Sequence, residues 1–285
     1  MIYYINGDSS DNAFDVNGNR LEQCFDINGN PLLEYDNTLT IMSYNVGAWT
    51  AFGVNATTDN QITWYKLQNN ILSNCKADLA GIQEYTSAIC NYSVPKMLGF
   101  YFGQSFSVDR IAGKAGRDIS SRFTISDSEE INFINQRGEI RSYLISTAHI
   151  NGKEIKFLCA HLSYEVNIAE LQIGELLDVV SNFEYWILTG DFNVPFQNVN
   201  SRGYQILVQA FLDAGYNVAN GSSFGMFPTF TTATAGSEDI SWSSIDNIMC
   251  SSNINILDVW TNTEKLEHIG FGIDHLPLLA RVEIN

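Results

Sequence analysis

Four short polar clusters each sit at the end of an apolar, strand-like run: Asn45 in Tyr44-Asn45-Val46, Gln83-Glu84, Gly190-Asp191-Phe192-Asn193, and Asp274-His275. Strand ends are where a rigid sheet holds side chains at fixed separation. Carboxylates and an imidazole gathered there can bind a hard cation, which prefers oxygen ligands, and can activate a water molecule. Each cluster alone has a plainer reading, because Gly, Asp and Asn also make turns. Together they read as one divided metal site with hydrolytic chemistry.

At 285 residues and 45% hydrophobic content the chain can form one large α/β domain or two smaller ones. No apolar run reaches the roughly 18 residues that a membrane helix needs. The start Met1-Ile2-Tyr3-Tyr4-Ile5-Asn6-Gly7 lacks the basic residues and cleavage site of a signal peptide, which predicts a cytoplasmic protein. Cys24, Cys75, Cys90, Cys159 and Cys250 are widely spaced and odd in number, so reduced, mostly buried thiols are expected. A net charge of −17, with only 15 Lys and Arg, argues against tight nonspecific nucleic-acid binding unless divalent cations assist.

Near the N-terminus Phe14-Asp-Val-Asn-Gly-Asn-Arg-Leu21 recurs as Phe25-Asp-Ile-Asn-Gly-Asn-Pro-Leu32. The Asn-Gly pairs signal tight hairpins, so residues 1–37 are expected to form a small β appendage. Asp15, Asn17, Asn19 and Asp26 also fall at calcium-loop positions, but Arg20 stands where the loop's turn glycine belongs, and the hairpin is preferred. Beyond it, residues 38–285 form a second domain. Strands are predicted at 39–46, 79–83, 185–188, 245–249 and 278–284, with a hairpin around Asn151-Gly152 whose second strand ends at His161. Helices are predicted over 59–75, from Asn167 with Glu170 as its capping partner, and over 204–214 with Gly215 ending it.

In chain order, Tyr44-Asn45-Val46, Gln83-Glu84, Ala160-His161-Leu162, Gly190-Asp191-Phe192-Asn193, Ile245-Asp246-Asn247-Ile248 and Asp274-His275-Leu276-Pro277 resemble the motifs of the endonuclease/exonuclease/phosphatase superfamily. DNase I, exonuclease III, neutral sphingomyelinases and inositol-polyphosphate 5-phosphatases share its fold. The resemblance runs from about Thr38 to the C-terminus. It implies an α/β fold, a two-layer αββα sandwich of mixed, mostly antiparallel sheets, DNase I-like, behind the small N-terminal β appendage.

It also implies roles. Glu84 and Asp274 are the expected carboxylate ligands of Mg²⁺, with Asn45 beside them and Mn²⁺ or Ca²⁺ as alternative ions. His275 is expected to take a proton from the attacking water or to orient it, with Asp246 fixing its tautomer. Asp191 and Asn193 would hold the nucleophile and a phosphoryl oxygen, and His161 would donate to developing charge. Arg141 resembles an arginine near the scissile phosphate, a task suited to a planar fork of donors, with a plain surface arginine as the competing reading. The expected reaction is in-line hydrolysis without a covalent intermediate.

Other features carry less. Arg110, Lys114, Arg117 and Arg122 form the only locally basic stretch; a charged loop is the preferred reading, and contact with a phosphate backbone is the sharper one. His149 and His268 read as solvated loop residues. Trp49, Phe52, Phe227 and Phe230 suit stacking on a base or ordinary packing equally. Ile273 replaces a serine frequent before Asp-His, Ser244 replaces a frequent cationic residue, and His161 stands where abasic-site enzymes carry tyrosine. Endonuclease-like cleavage of nucleic acid is therefore the first expectation, a phosphatase or sphingomyelinase-like hydrolase of small or lipid phosphoesters the second, and a non-catalytic binding module the third.

Overall fold

Backbone pairing organises the residues that the computed structural model describes: 37–47, 68, 71–72, 74–85, 102–108, 116–231, 242–262 and 274–285, with the backbone of 3–4 and 13–14. The chain separates into two compact units, Met1–Thr38 and Leu39–Asn285. In the first, β1 (Tyr3–Tyr4) pairs antiparallel with β2 (Ala13–Phe14), Tyr3 opposite Phe14. The two Asn-Gly pairs and the calcium-like pattern lie outside the described residues, as do Cys24, Trp49, Phe52, Cys90, Arg110, Lys114, His268 and Ile273.

The second unit continues with β3 (Thr38–Asn45), β4 (Leu79–Gln83), β5 (Gln104–Val108) and β6 (Arg117–Ser121). Next come β7 (Ile125–Asn132), β8 (Ser142–Ile150), β9 (Lys153–His161) and β10 (Trp186–Phe196). The last strands are β11 (Asn217–Val218), β12 (Phe230–Thr231), β13 (Trp242–Cys250), β14 (Ile254–Thr261) and β15 (Leu278–Ile284). A six-stranded sheet runs β14-β15-β3-β4-β6-β5, and a seven-stranded sheet runs β11-β13-β10-β9-β8-β7 with β12 on β13. The β3/β4 and β9/β10 pairs are parallel and the other registered pairs antiparallel.

The β8/β9 hairpin turns through Asn151 (φ 49°) and Gly152 (φ 78°), the two left-handed residues that a two-residue hairpin loop demands. Helix α1 (Val166–Val180) lays Ala169, Ile173, Leu176 and Val180 on the outer face of the seven-stranded sheet, against Leu158, Trp186 and Leu188. Helical residues Arg202–Tyr204, a π-turn at Gln205–Gln209 and Ala210–Asp213 make up α2, which adds Leu207, Val208 and Phe211 to that layer. Each such side chain contributes about 1.5–3 kcal/mol on burial. The helical residues Ile71, Leu72 and Cys75 cover the outer face of the other sheet, against Met42, Tyr44, Ala80 and Ile82. Between the sheets the approach is tight at Gly81, where a Cβ would lie 1.9 Å from Thr189 Oγ1. This is the expected DNase I-like αββα sandwich.

Local details depart from expectation. α1 starts at Val166 without a side-chain cap. Asn167 and Glu170 instead accept from Arg202 Nη2 at 2.7 and 2.8 Å, because a free cation in reach outcompetes a backbone N–H. β10 runs on through Asp191 to Phe196, beyond the predicted end at 188, and β5, β7 and β14 had no predicted counterpart. His149 is not a loop residue: it lies in β8, half-buried, with Nε2 2.8 Å from Ser126 Oγ. Arg117 belongs to no charged loop either, but opens β6 fully buried. Cys75, Cys159 and Cys250 are buried thiols, and burial pushes Cys159 up to about 12. Among the described residues no helix is long and apolar enough to cross a membrane.

Candidate active site

β10 lies between β9 and β13, and the register sets Asp191 opposite His161 on one side and Asp246 on the other. Three adjacent strands thus hold an imidazole and two carboxylates abreast. The remaining partner arrives from the C-terminal segment. His275 forms a bridge with Phe230, while Leu276 N–H donates to Thr229 O at 2.7 Å and Thr231 N–H to Asp274 O at 2.9 Å. Its Nδ1 lies 2.9 Å from Asp246 Oδ2, in the buried interior.

Asp191 Oδ2 is the hub. Asn45 Nδ2 donates to it at 3.0 Å, and His161 Nε2 and His275 Nε2 stand 3.5 and 3.6 Å away. The other oxygen, Oδ1, accepts from Asn193 N–H at 2.9 Å, an arrangement that needs the left-handed backbone of Asn193 (φ 52°). Asn193 Nδ2 is in turn held by Leu162 O at 3.0 Å. Asn45 sits at the end of β3 opposite Gln83, and Gly47 N–H donating to its Oδ1 at 2.9 Å fixes which way the amide points. Its Nδ2 also reaches Glu84 Oε1 at 3.3 Å, so one amide joins the two sheets. Glu84 has φ 56°, a conformation uncommon for glutamate and typical of residues held in place for function.

Charge crowding perturbs the cluster. Burial, then the neighbouring Asp246 charge, pushes the Asp191 carboxyl up to about 7 against the pull of His275 and its hydrogen bonds. For His275 burial opposes the cation, but the Asp246 carboxylate and its hydrogen bond, then Asp191 and Asp274, outweigh it and raise the ring to about 10.

The structure brings Asn45, Glu84, His161, Asp191, Asn193, Asp246 and His275 into one contact network, and Asp274 adjoins it as the residue before His275. Arg141 is not part of that network: its Nη2 pairs with Glu139 Oε2 at 2.7 Å. Phe230 packs its ring 4.9 Å from the His275 ring, and Phe227 donates its N–H to Asn220 Oδ1 at 2.8 Å. Ser244 Oγ donates to Phe227 O at 2.8 Å. Sequence reading missed two supports of Asp246. Thr229 Oγ1 accepts from Asp246 N–H at 3.1 Å, and Asn220 Nδ2 donates to Asp246 O at 3.0 Å. Both are ordinary loop polar residues in sequence, so no pattern marks them.

Asp191, Asp246 and His275 place ligand-type atoms within 4.8 Å of one another. That is a different set from the expected Asn45, Glu84 and Asp274, of which Asn45 turns its donor Nδ2 and not Oδ1 to the acids, yet both sets offer carboxylate oxygens and no thiolate, the donor chemistry of a hard divalent cation. Asp246 Oδ1 is also buried and accepts no hydrogen bond. The residues present fit such an ion.

Solved structures share this architecture. An endonuclease/exonuclease/phosphatase protein of Beutenbergia cavernae superposes with a TM-score of 0.63 at 16% identity, covering 87% of this chain and 72% of that one. The TDP2 protein of D. rerio, complexed with a single-strand DNA product, gives 0.63 at 17%, covering 87% and 100%. ANGEL2, a 2′,3′-cyclic phosphatase in complex with adenosine-2′,3′-vanadate, gives 0.62 at 17%, covering 87% and 96%. The chain has the endonuclease/exonuclease/phosphatase fold. Neither a protein-family model nor a curated protein matches it. Within this fold the polar cluster sits where Asn45, Asp191 and His275 join the ends of both sheets.

Proposed function

We propose that the protein is a divalent-metal-dependent phosphodiesterase that cleaves nucleic acid in the manner of an endonuclease. The observation that carries this reading is the continuous line from Glu84 through Asn45 and Asp191 to His275 and Asp246, which unites acid, amide and imidazole groups from five segments of chain. The solved structures of similar fold, one holding a single-strand DNA product and another described as a cyclic phosphatase, support phosphoester chemistry.

A cation that Glu84 and Asp274 would hold, with Asn45 beside them and Mg²⁺ the first choice, Mn²⁺ or Ca²⁺ the alternatives, would supply charge neutralisation at the phosphate and a more acidic water. Asp191 and Asn193 hold the attacking water and a phosphoryl oxygen. Asp246 fixes the His275 tautomer with the proton on Nδ1 and leaves Nε2 facing Asp191. Against burial, Asp246, Asp191 and Asp274 raise His275 to about 10, so the ring would hold a proton taken from the attacking water. His161, on the other side of Asp191, donates to charge that develops on the phosphate or leaving group.

The acidic whole, at −17, and the neutral Ser244 favour a second reading, hydrolysis of small or lipid phosphoesters. Mg²⁺-dependent cleavage of plasmid, single-stranded DNA, RNA, sphingomyelin and inositol phosphates separates the two. Nicked plasmid supports the first; intact nucleic acid beside a hydrolysed lipid or inositol phosphate replaces it with the second.

A further inference from the structure

The contact between His275 and Asp246 joins two segments 29 residues apart in the chain, so their main chains must be held in register by something else. β13 pairs with β12 at Trp242 and Ser243 and with β11 at Met249 and Cys250, and residues 244–248 pair with neither. All five are buried, where an unpaired backbone N–H or C=O is costly. Side chains take over in that gap. Asn220 Nδ2 donates to Asp246 O at 3.0 Å, and Thr229 Oγ1 accepts from Ile245 N–H at 3.3 Å and from Asp246 N–H at 3.1 Å.

Thr229 is itself fully buried, and its bonds run in two directions. Toward β13, its N–H donates to Ser243 O at 3.0 Å and its hydroxyl oxygen receives the two N–H groups. Toward the C-terminal segment, its carbonyl accepts Leu276 N–H at 2.7 Å, directly after His275. The next two residues continue the same seam, since Phe230 bridges His275 and Thr231 N–H donates to Asp274 O at 2.9 Å. A single residue therefore bonds to the main chain on both sides of the 2.9 Å contact between His275 Nδ1 and Asp246 Oδ2. Packing alone does not call for a hydroxyl there. Valine has nearly the shape of threonine, but its methyl would leave both N–H groups without an acceptor.

We infer that Thr229 is a positioning residue for proton transfer: its hydroxyl and its carbonyl together set the separation of Asp246 and His275, and so the aim of the His275 ring at Asp191 and the nucleophile. Small displacements matter here, because catalytic groups work within about 0.5 Å of their productive geometry and a 1 Å misplacement can cost roughly 10² in rate. The effect on turnover rests on the phosphodiesterase reading. The effect on the contact between the two side chains does not.

The test compares Thr229→Val, which removes the oxygen, with Thr229→Ser, which keeps it, in the full chain. The proton on His275 Nδ1, hydrogen-bonded to a buried carboxylate, gives a downfield proton resonance that His275→Ala assigns by its loss. Thr229→Val should move that resonance upfield and Thr229→Ser should leave it in place. On a cleaved phosphodiester with Mg²⁺, Thr229→Val should lower kcat by about tenfold or more with KM unchanged, and Thr229→Ser should restore it. A lower melting temperature in Thr229→Val with the wild-type resonance and kcat overturns the inference, because the hydroxyl then serves stability alone. A loss of kcat that serine does not restore overturns it as well. Should the valine variant not fold, Thr229→Ala removes the same oxygen with less crowding and must show the same upfield movement. A protein that cleaves no phosphoester, yet whose resonance moves in Thr229→Val and not in Thr229→Ser, sinks the functional reading and leaves the positioning intact.

Discussion

Asp191 Oδ2 is faced by three nitrogens, and each has a different reason to be there: Asn45 locks the sheets together, while His161 and His275 bracket the oxygen from opposite sides. Replacing Asp191 by Asn keeps the shape and removes the charge that the two rings face. Turnover should fall by roughly 10² or more, and His275→Ala should do the same, as loss of charge stabilisation and proton transfer does elsewhere. Steady-state rates on a cleaved phosphodiester, with circular dichroism confirming the fold, check both; wild-type rates in either variant remove the mechanism. The same groups set a pH dependence of stability. Asp191 is raised from 3.8 to about 7 and His275 from 6.5 to about 10, so the native state binds protons more tightly than the unfolded chain at both sites. Stability of the metal-free protein should therefore be greatest at the acid end of these windows and fall as pH rises from about 4 to 7 and again toward 10. Denaturant titrations at pH 5, 7 and 9 test this, and Asp191→Asn should flatten the first step. At this scale the sequence was most legible where a motif names its residue, as with Asp246 behind His275, and illegible for Thr229 and Asn220, whose only work is to hold backbone.

Strand β6 shows why elements were missed. Arg117, Asp118, Ile119, Ser120 and Ser121 are all buried, yet only Ile119 is apolar, so the period-two signal that marks a strand is absent. Polar partners hold Asp118 instead, which accepts from Ser107 Oγ at 2.5 Å and from Ser120 Oγ, and burial pushes it up to about 7. By contrast β4, the Phe157–Ala160 part of β9 and the first half of β10 are apolar runs, and those were readable. Where β4 meets β10 the packing leaves no slack. A methyl group at Gly81 would strike Thr189 Oγ1 at 1.9 Å and Cys159 Cβ at 3.2 Å, and Thr189 Oγ1 is already donating to Leu158 O. Gly81→Ala should destabilise the protein by about 1–3 kcal/mol or more through overpacking between the sheets. Gly174→Ala, at an open helical position, serves as the control and should be neutral or mildly stabilising, and equal melting temperatures for the two variants would contradict the packing described.

Across the whole molecule a net charge of −17 opposes compaction, and the acidic residues of the site add to that repulsion. The two-sheet sandwich was legible because the six motifs occur in family order, whereas the expected boundary after residue 37 rested on the repeat, whose Asn-Gly pairs lie outside the described residues. The cation proposed at Glu84 and Asp274, beside Asn45, would act on both stability and catalysis, since it would bind the native arrangement and the unfolded chain has no such site. At about 100 times its Kd it stabilises by about 2.7 kcal/mol, and a domain of this size shifts by roughly 2–4 °C per kcal/mol. Mg²⁺ should therefore raise the melting temperature by roughly 5–10 °C and a chelator should reverse it together with activity. General screening also relieves repulsion, so the decisive comparison is Glu84→Gln, which keeps the size of the side chain and almost all of the net charge. Monovalent salt should stabilise that variant as it does the wild type, whereas the extra Mg²⁺ increment should disappear. An undiminished Mg²⁺ increment in Glu84→Gln would place the cation elsewhere, and the set Asp191, Asp246 and His275 would then be the one to vary next.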